Sequence, residues 1–276
     1  MWRIGLVLLV ACGSSGSNQT PADGPASTGD TATPDPDGAS GGFVLPPLDA
    51  RLDYQLGGPY APPAGVMIVS RDRTAPIATG LYNICYVNGF QIQPGEEGNW
   101  PDELKLKDAG GNLVIDQDWN EVLVDTRTPE KRDAIMAIEQ AWIDGCKSAG
   151  YDAIEIDNLD SYARSQSLIS MDDNVAMMAK LSAASHAKHM AIAQKNSSEI
   201  VARKGELGTD FVVAEECNRY DECDAYMTGY GDHVLVIEYR QQDFTKGCTM
   251  FPGLSIVLRD RDLVTPGNGA YVYDGC

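Results

Sequence analysis

Short apolar runs that are rich in β-branched residues recur along the chain after residue 50 and alternate with longer stretches of helical spacing. The clearest helical stretches are 129–148, which begins with a proline and a charged first turn, and 172–188. Strands that alternate with helices and are buried on both faces indicate a parallel α/β sheet. The eight predicted strands are 54–56, 66–69, 83–87, 122–124, 153–156, 190–193, 211–214 and 234–237.

Eight strand–helix units within about 230 residues predict a (β/α)8 barrel, the TIM-barrel fold of the α/β class. The alternative is a doubly wound sheet that binds a nucleotide. That interpretation lacks support, because no Gly-x-Gly-x-x-Gly motif follows the first predicted strand. The segment 253–260 is then expected to be a ninth extended piece near the closure of the barrel.

The first 12 residues have the order of an export signal. One basic residue precedes an apolar run that ends in Leu9-Val10-Ala11-Cys12, and this ending resembles the lipobox of bacterial lipoproteins. The run is too short to span a bilayer, which needs about 20 residues. We therefore expect Cys12 to carry lipid and to hold an exported protein at the outer membrane or cell surface. The alternative is an uncleaved apolar tail with a chance cysteine.

Residues 13–45 are dominated by Gly, Ser, Thr, Pro, Ala and Asp, and 13–42 contain no aromatic residue and no aliphatic side chain larger than alanine. Such a segment cannot bury enough apolar surface to offset the entropy of ordering it, so we predict a disordered tether. Residues 46–276 remain as one domain that contains the barrel, and we expect this domain to be a monomer.

The domain is strongly acidic. The whole chain has 40 acidic and 21 basic residues, a net charge of −19. Without Arg3 and the four acids of the tether, 36 acidic and 20 basic residues leave a net charge of −16. This charge disfavours nucleic acid as a ligand, since phosphate binding needs a basic surface. A cationic substrate fits it, although solubility alone also accounts for it.

Six cysteines lie within the domain, an even number that permits disulfides in an exported protein but allows fifteen pairings. Cys217 and Cys223 are close in sequence, and we expect at least one of them to be bridged, with Cys248 as a further candidate. Cys85 lies inside an apolar run and is expected to be an unbridged core residue. The domain has no Cys-x-x-Cys pair, which disfavours a structural zinc site.

Polar residues cluster where the predicted strands end. In a barrel the active site lies at the C-terminal ends of the strands, so these residues are candidates to line a cleft. Because side chains alternate along a strand, Glu155 and Asp157 face the lumen if Ile154 and Ile156 face the helices. The same count directs Lys195 and Glu215 inward. The strand-end residues are Asp72, Asn88, Asp125, Asp157, Asn158, Lys195, Asn196, Glu215 and Glu238.

Asp157 and Glu215 fall on the fifth and seventh predicted strands. Alternate strands contribute to the same layer of lumen side chains, so these two carboxyls are expected to face each other. Paired carboxylates in different environments are what glycoside hydrolysis needs, because one donates a proton while the other attacks or activates water. The structural alternative is an ion-pair network in which Lys195 neutralises Glu155. We expect both, with Lys195 and Glu155 as the scaffold.

Aromatic residues near these motifs are candidates for stacking on sugar rings. Tyr162 and Tyr239 follow acidic motifs directly and are the two we select. Tyr86, Phe90, Trp119 and Tyr220 are weaker candidates, because aromatic residues more often belong to the core. The acidic run 157–160 lacks the spacing and the glycine of a calcium loop, so no metal and no other cofactor is assigned.

Six motifs in this chain together resemble glycoside hydrolase family 114, the endo-α-1,4-polygalactosaminidases. They follow the family's order and cover nearly all of residues 51–260: "DYQLGG", "NICYVNGF", "YDAIEIDNLDSY", "IAQKN", "AEECNRYDECDA" and "VIEY". The resemblance implies a (β/α)8 barrel that hydrolyses an α-1,4-linked, galactosamine-rich polysaccharide. It also implies that the catalytic pair is Asp157, which matches the Asp of the family's "EPDN" element, and Glu215, which matches the Glu of its "NEQC" element. We assign Asp157 as the nucleophile and Glu215 as the general acid/base of a retaining reaction.

The chain departs from the family pattern at Ile156, where the family has proline, and in the segments 69–72 and 88–98. These positions are expected to line the substrate cleft. Three hypotheses remain: an anchored glycosidase that cleaves a cationic amino-sugar polysaccharide, a non-catalytic lipoprotein that binds polysaccharide, and a metal-assisted hydrolase. For the first, the expected substrate-binding residues are Asp72, Asn88, Asp125, Glu155, Asn158, Tyr162, Lys195, Glu238 and Tyr239.

Overall fold

Twelve strands and seven α-helices make up residues 42–276, the part of the chain that the computed structural model describes. Cys12, the signal 1–12 and the tether up to residue 41 lie outside the described residues. The strands are β1 (Arg51–Gln55), β2 (Val66–Asp72), β3 (Tyr82–Asn88), β4 (Gln91–Ile92), β5 (Ile115–Asp116), β6 (Glu121–Leu123), β7 (Ala153–Asp157), β8 (Ala191–Lys195), β9 (Phe211–Glu215), β10 (Val234–Glu238), β11 (Ser255–Arg259) and β12 (Tyr273–Gly275). The helices are α1 (Pro129–Ala149), α2 (Ser161–Arg164), α3 (Met171–Ala187), α4 (Lys204–Leu207), α5 (Cys217–Tyr220), α6 (Cys223–Tyr230) and α7 (Gln241–Met250).

The main sheet is a nearly closed barrel. Its first eight strands, β1, β2, β3 and β7 to β11, pair in parallel and in chain order, and β12 adds to β11 in the antiparallel direction. At the closure, Arg259 of β11 donates to the Tyr54 carbonyl of β1, and the Ala50 N–H donates to the Ser255 hydroxyl at 3.1 Å. The predicted (β/α)8 barrel is confirmed.

One of the eight predicted strands was assigned to the wrong sheet. The run 122–124 corresponds to β6, which pairs antiparallel with β4 and β5 in a separate three-stranded sheet. The eighth barrel strand is β11, within the segment 253–260. A short apolar run is typical of a strand in either the parallel barrel sheet or a small antiparallel sheet, so hydrophobic periodicity could not distinguish the two sheets. Asp157 and Glu215 therefore end the fourth and sixth barrel strands, not the fifth and seventh. They still lie on alternate strands, as predicted.

Alternation along the strands separates two apolar layers. Ile154 and Ile156 pack outward against the helices, in one cluster with Ile143 of α1 and Leu181 of α3. Inward-facing side chains such as Phe211 form a second cluster inside the barrel with residues of the other strands. The predicted orientation of β7 is confirmed. Its polar inward positions are consequently enclosed by the barrel wall, which is where a site can form.

The two predicted long helices are present and begin at side chains that cap their free N–H groups. The Thr128 hydroxyl accepts from the Lys131 N–H at the start of α1, and Pro129 occupies the first turn. Ser170 and Asp173 form a reciprocal capping box at the start of α3. Gly150 ends α1 at φ 95°, a left-handed conformation that favours glycine.

Three disulfides join the six domain cysteines: Cys85–Cys146, Cys217–Cys223 and Cys248–Cys276. The expectation that at least one of Cys217 and Cys223 is bridged is confirmed, since the two bridge each other, whereas Cys248 pairs with Cys276. The expectation for Cys85 was wrong, because the apolar surroundings that suggested an unbridged core residue also contain Cys146, from α1, with the two Cα atoms 6.0 Å apart. The bridge thus ties β3 to the helix that covers it.

Contacts with the barrel begin slightly before residue 46. Phe43 stacks on His186 with ring centroids 4.8 Å apart, and the Val44 carbonyl accepts from the Tyr82 hydroxyl at 2.7 Å. Within residues 42–276, no helix is long and apolar enough to cross a membrane.

Candidate active site

A cavity of about 460 Å³ opens at the C-terminal ends of the barrel strands. The last residues of β7, β8 and β9 are Asp157, Lys195 and Glu215, and all three line it. The complete lining consists of Tyr54, Leu56, Gly57, Tyr86, Asp116, Asp118, Trp119, Glu121, Asp157, Asn158, Asp160, Arg164, Lys195, Asn196, Glu215, Tyr239, Arg261, Asp262 and Leu263.

The Lys195 ammonium is the centre of this site. It lies 3.1 Å from Glu155 Oε1, 3.2 Å from Asp157 Oδ1 and 3.3 Å from Glu215 Oε2, with only 2% of its side chain exposed. Burial disfavours its charge, but the three carboxylates outweigh burial and raise the pKa of Lys195 well above its usual value. The lysine is therefore a permanent cation between the two candidate catalytic carboxyls.

Asp157 is held by donors on both of its oxygen atoms. The Tyr86 hydroxyl donates to Oδ2 at 2.7 Å, and the Asn158 N–H donates to Oδ1 at 2.8 Å. Burial acts to raise the pKa of Asp157, but the Lys195 ammonium and these hydrogen bonds outweigh it, so the net pKa lies below the usual value. Asp157 is thus an ionised, oriented carboxylate at the cavity floor.

Glu215 has a different environment. The Tyr239 hydroxyl donates to Oε1, and the Asn196 amide lies 3.5 Å from Oε2. The Glu215 N–H donates to Asn196 Oδ1 at 2.8 Å, which fixes the strand end to the turn after β8. Its side chain is 29% exposed and reaches into the cavity. Glu215 can therefore meet a bound group directly.

Glu155 lies below Asp157 inside the barrel and does not line the cavity. It is fully buried, and it accepts from the Tyr54 hydroxyl at 2.6 Å and from the Ser70 hydroxyl at 2.8 Å. Burial raises the pKa of Glu155, although Lys195 opposes this effect. The expected ion pair between Lys195 and Glu155 is present.

The separation of the two candidate carboxyls follows from their shared lysine. Asp157 Oδ1 and Glu215 Oε2 can be no farther apart than the sum of their distances to Lys195 Nζ, about 6.5 Å. Carboxyls of retaining glycosidases are ~5–5.5 Å apart, whereas those of inverting enzymes are ~6.5–9.5 Å apart. The bound applies to the two oxygens nearest the lysine, and it is compatible with the shorter spacing.

The separate three-stranded sheet supplies one side of the cavity, and this arrangement was not predicted from the sequence. Asp116, Asp118, Trp119 and Glu121 all lie on this sheet or its turn. Trp119 is 59% exposed, so its ring is available to a ligand. Burial raises the pKa of Glu121 to about 7.

Two further cations, Arg164 and Arg261, line the cavity besides Lys195. Arg164 lies 2.7 Å from Asp116 and 2.8 Å from Asp160. Arg261, in the loop after β11, lies 3.2 Å from Glu216.

Six predicted substrate-binding residues do not line this cavity: Glu155, Asn88 and four others. Asp72 accepts from the N–H and hydroxyl of Thr74 in its own turn, and Asp125 is buried against Arg127 and Lys131. The other two are Tyr162, which donates to Glu199, and Glu238, which is buried and accepts from the Asn218 N–H.

Of the other predicted substrate-binding residues, Asn158, Lys195 and Tyr239 line the cavity. Asn88 contacts the lining from behind, since it donates to Glu121 and accepts from Asn158. Of the weaker aromatic candidates, Tyr86 and Trp119 line the cavity, whereas Phe90 and Tyr220 do not.

The departures from the family pattern were expected in the cleft, and they too lie elsewhere. Ile156 is fully buried in the outer core, and neither 69–72 nor 88–98 lines the cavity. Because Ile156 points to the helices, its replacement of proline leaves the lumen side of β7 unaltered.

Comparison with known proteins gives a family and a set of similar structures. Residues 33–276 match the sequence model of glycoside-hydrolase family GH114. A search of curated proteins gave no significant match. The crystal structure of Aspergillus fumigatus Ega3 in complex with galactosamine is similar over 85% of this chain and 99% of that chain, with 19% identity and a TM-score of 0.68. The glycoside hydrolase domain of PelA from Pseudomonas aeruginosa is similar over 80% of this chain and 97% of that chain, with 13% identity and a TM-score of 0.56. At these identities the structural similarities show the fold alone.

Proposed function

Because the chain belongs to glycoside-hydrolase family GH114 and is a glycoside hydrolase, we propose that its cavity hydrolyses α-1,4 linkages in a galactosamine-rich polysaccharide. The observation that carries the proposal is the pair of carboxyls, Asp157 and Glu215, on either side of one buried ammonium at the cavity floor. Two carboxyls of unlike environment are the machinery that glycosidic cleavage requires.

Two observations support an amino sugar as the substrate: the acidic charge of the domain and its cavity, and the similarity to Ega3. The domain carries a net charge of −16, and acidic side chains of the cavity outnumber its cations. A concave acidic site concentrates cations, and unacetylated galactosamine carries an ammonium group near neutral pH. Ega3, to which this fold is similar, was crystallised with galactosamine.

In the first step of the proposed reaction, Asp157 Oδ attacks the anomeric carbon while Glu215 gives its proton to the leaving oxygen. The glycosidic bond breaks, and a covalent glycosyl–Asp157 ester forms. In the second step Glu215 takes a proton from water, whose oxygen attacks the same carbon and releases Asp157. The net change is the addition of one water across the linkage, with retention of configuration.

Lys195 and two tyrosines prepare the carboxyls for these roles. The ammonium and the Tyr86 hydroxyl keep Asp157 ionised and aimed at the cavity, as a nucleophile must be. The Tyr239 hydroxyl orients Glu215 through Oε1. Lys195 contacts both carboxyls and remains charged when Asp157 is esterified, because Glu155 stays as its counter-ion.

Retention is supported by the short bound on the separation of the carboxyl oxygens, about 6.5 Å at most. An inverting reaction needs room for a water between carboxyl and sugar. Proton NMR of the first product formed on an α-linked substrate tests this part: an α-anomer supports retention, and a β-anomer contradicts it.

We also propose where the enzyme acts. Lipid on Cys12 anchors it at the outer membrane or cell surface, and residues 13–41 serve as the tether to a monomeric barrel. The three disulfides fit an exported protein, because such bonds persist in oxidising compartments.

Release of reducing ends from a partly deacetylated α-1,4-galactosamine polymer tests the proposed reaction. The enzyme should release oligosaccharides, and release should continue in the presence of a chelator because the proposed reaction uses only carboxyls. If the polymer binds but is never cleaved, the catalytic proposal is wrong and the barrel is a binding protein. If chelation stops the release, the acids act as metal ligands instead.

A further inference from the structure

The cavity contains a carboxyl that the proposed reaction does not use, that of Glu121 at the start of β6. Its Oε2 atom accepts a hydrogen bond from Asn88 Nδ2 at 2.8 Å. The residue lies on the three-stranded sheet rather than on the barrel and lines the cavity. Glu121 therefore lines the cavity from the three-stranded sheet, whereas Asp157, Lys195 and Glu215 line it from the ends of barrel strands.

Glu121 is connected to the proposed nucleophile by consecutive hydrogen bonds. Asn88 Oδ1 accepts from Asn158 Nδ2 at 2.9 Å, and the Asn158 N–H donates to Asp157 Oδ1 at 2.8 Å. This chain fixes Glu121 on the Asp157 side of the cavity. A sugar whose anomeric carbon meets Asp157 consequently has Glu121 as a neighbour.

The charge of Glu121 is sensitive to its surroundings. Burial raises its pKa to about 7, and the carboxylates of Asp157 and Asp116 act in the same direction. Asn88 and Arg164 oppose the rise, but Arg164 already pairs with Asp116 and Asp160. Among residues 42–276 no cation forms a salt bridge with Glu121 itself. An ammonium group from a ligand would supply the missing partner.

We propose that Glu121 is a specificity-determining residue, which binds the ammonium group of an unacetylated amino sugar in the subsite beside Asp157. An N-acetyl group carries no charge and replaces the ammonium donors by one amide N–H, so it loses most of this contact. The inference rests on the proposed function, since it names the chemical group that the same cavity selects. It also makes binding proton-linked, because only ionised Glu121 pairs with an ammonium.

The test compares binding of two free sugars, galactosamine and N-acetylgalactosamine, to wild-type protein and Glu121→Gln by titration calorimetry. Glutamine keeps an oxygen that can accept from Asn88, so the variant removes charge while preserving the hydrogen-bonded chain. At about pH 7.5 the variant should bind galactosamine roughly tenfold more weakly than wild type. At about pH 6 the two proteins should differ little, because Glu121 is then mostly protonated. The sugar amine titrates equally in both experiments, so the difference isolates Glu121.

The matched control is Glu103→Gln, which removes the same charge from an exposed residue between β4 and β5 that does not line this cavity. It should bind both sugars as wild type does. On deacetylated polymer, Glu121→Gln should raise KM and leave kcat within about twofold, as expected for lost ground-state binding.

Two results would overturn the inference. One is equal binding of galactosamine by wild type and Glu121→Gln, or a wild type that does not prefer galactosamine to its N-acetylated form. The other is a large loss of kcat on every substrate, which would place Glu121 in the reaction itself. If the sugars bind as expected but the polymer is never cleaved, the subsite stands and the proposed reaction is wrong.

Discussion

The Lys195 ammonium lies 3.1 Å from Glu155 Oε1, at a depth where neither side chain is appreciably exposed. A buried ion pair contributes little net stability, but loss of one partner leaves an uncompensated charge. Lys195→Met should therefore lower the free energy of unfolding by about 3–5 kcal/mol, as measured by urea unfolding at neutral pH. It should also abolish turnover, because Asp157 and Glu215 lose their shared cation.

The double variant Lys195→Met with Glu155→Leu provides the control for this prediction. It removes both charges of this pair, so part of the lost stability should return, while turnover stays absent because Asp157 and Glu215 still lack the cation. If the single variant is as stable as wild type, the pair is not the structural element described above.

A second prediction concerns Glu139 of α1, which is fully buried and whose two carboxyl oxygens have no hydrogen-bond partner within the described part of the chain. Burial raises its pKa well above the usual value. A carboxyl with a raised folded-state pKa contributes stability below its unfolded pKa, and loses it as pH rises through the folded pKa. Between the unfolded-state pKa of about 4.3 and the raised folded-state pKa, the free energy of unfolding should thus fall by up to ~1.4 kcal/mol per pH unit.

Glu139→Gln removes this dependence. Urea unfolding at pH 5 and at pH 8 gives the free energy of unfolding of both proteins. The difference between Glu139→Gln and wild type should favour the variant more at pH 8 than at pH 5. Glu103→Gln, at an exposed position, should show no such difference. Parallel pH profiles of wild type and Glu139→Gln would contradict the prediction.

A third prediction links the acidic cavity to substrate charge. Cleavage should be faster on deacetylated than on fully acetylated polymer. KM for the deacetylated polymer should rise from low to high ionic strength while kcat changes less, because salt screens the attraction between exposed charges. Initial rates at two salt concentrations measure this. Equal rates on both polymers, with no salt effect, would leave the −16 net charge as a solubility feature only.

The fourth prediction concerns location. Exported wild-type protein should partition into detergent, and Cys12→Ser should remain in the aqueous phase with a folded barrel. Circular dichroism of the soluble variant checks the fold. Wild-type protein that never associates with membranes would rule out the lipid anchor.

The fold was largely predictable because its signals are local and repeated. Apolar runs alternate with capped helices such as the one that begins at Pro129, and alternation along β7 correctly directed Glu155 and Asp157 inward. Seven of the eight predicted strands belong to the barrel, but one was misplaced. The run at 122–124 is as apolar as a barrel strand, and only its antiparallel partners, which are distant in sequence, determine its sheet.

The cavity wall was less predictable than its floor. The floor follows from the strand ends, where Lys195 meets Glu155, Asp157 and Glu215. The wall comes from an excursion between β3 and α1, whose path the sequence does not reveal. The sequence signal for this wall is a cluster of acidic residues around Trp119, but such a cluster is equally typical of a solvated loop.

Strand-end position alone also proved too permissive. Asp125 follows β6, which is not a barrel strand, and it forms salt bridges with Arg127 and Lys131 that neutralise its charge. Glu238 does end a barrel strand, but it accepts a hydrogen bond from Asn218 and lies outside the cavity lining. Partners of this kind depend on helix and loop packing, which periodicity does not report.

The most direct test of the catalytic pair is the turnover of three near-isosteric variants on the deacetylated polymer, with folding checked by thermal unfolding. Asp157→Asn and Glu215→Gln should each reduce kcat by roughly three orders of magnitude or more, since each removes a group that forms or breaks a bond. Asp72→Asn, a matched change at a strand end outside the cavity, should keep turnover near the wild-type value. Normal turnover by a folded Asp157→Asn or Glu215→Gln protein would contradict the account.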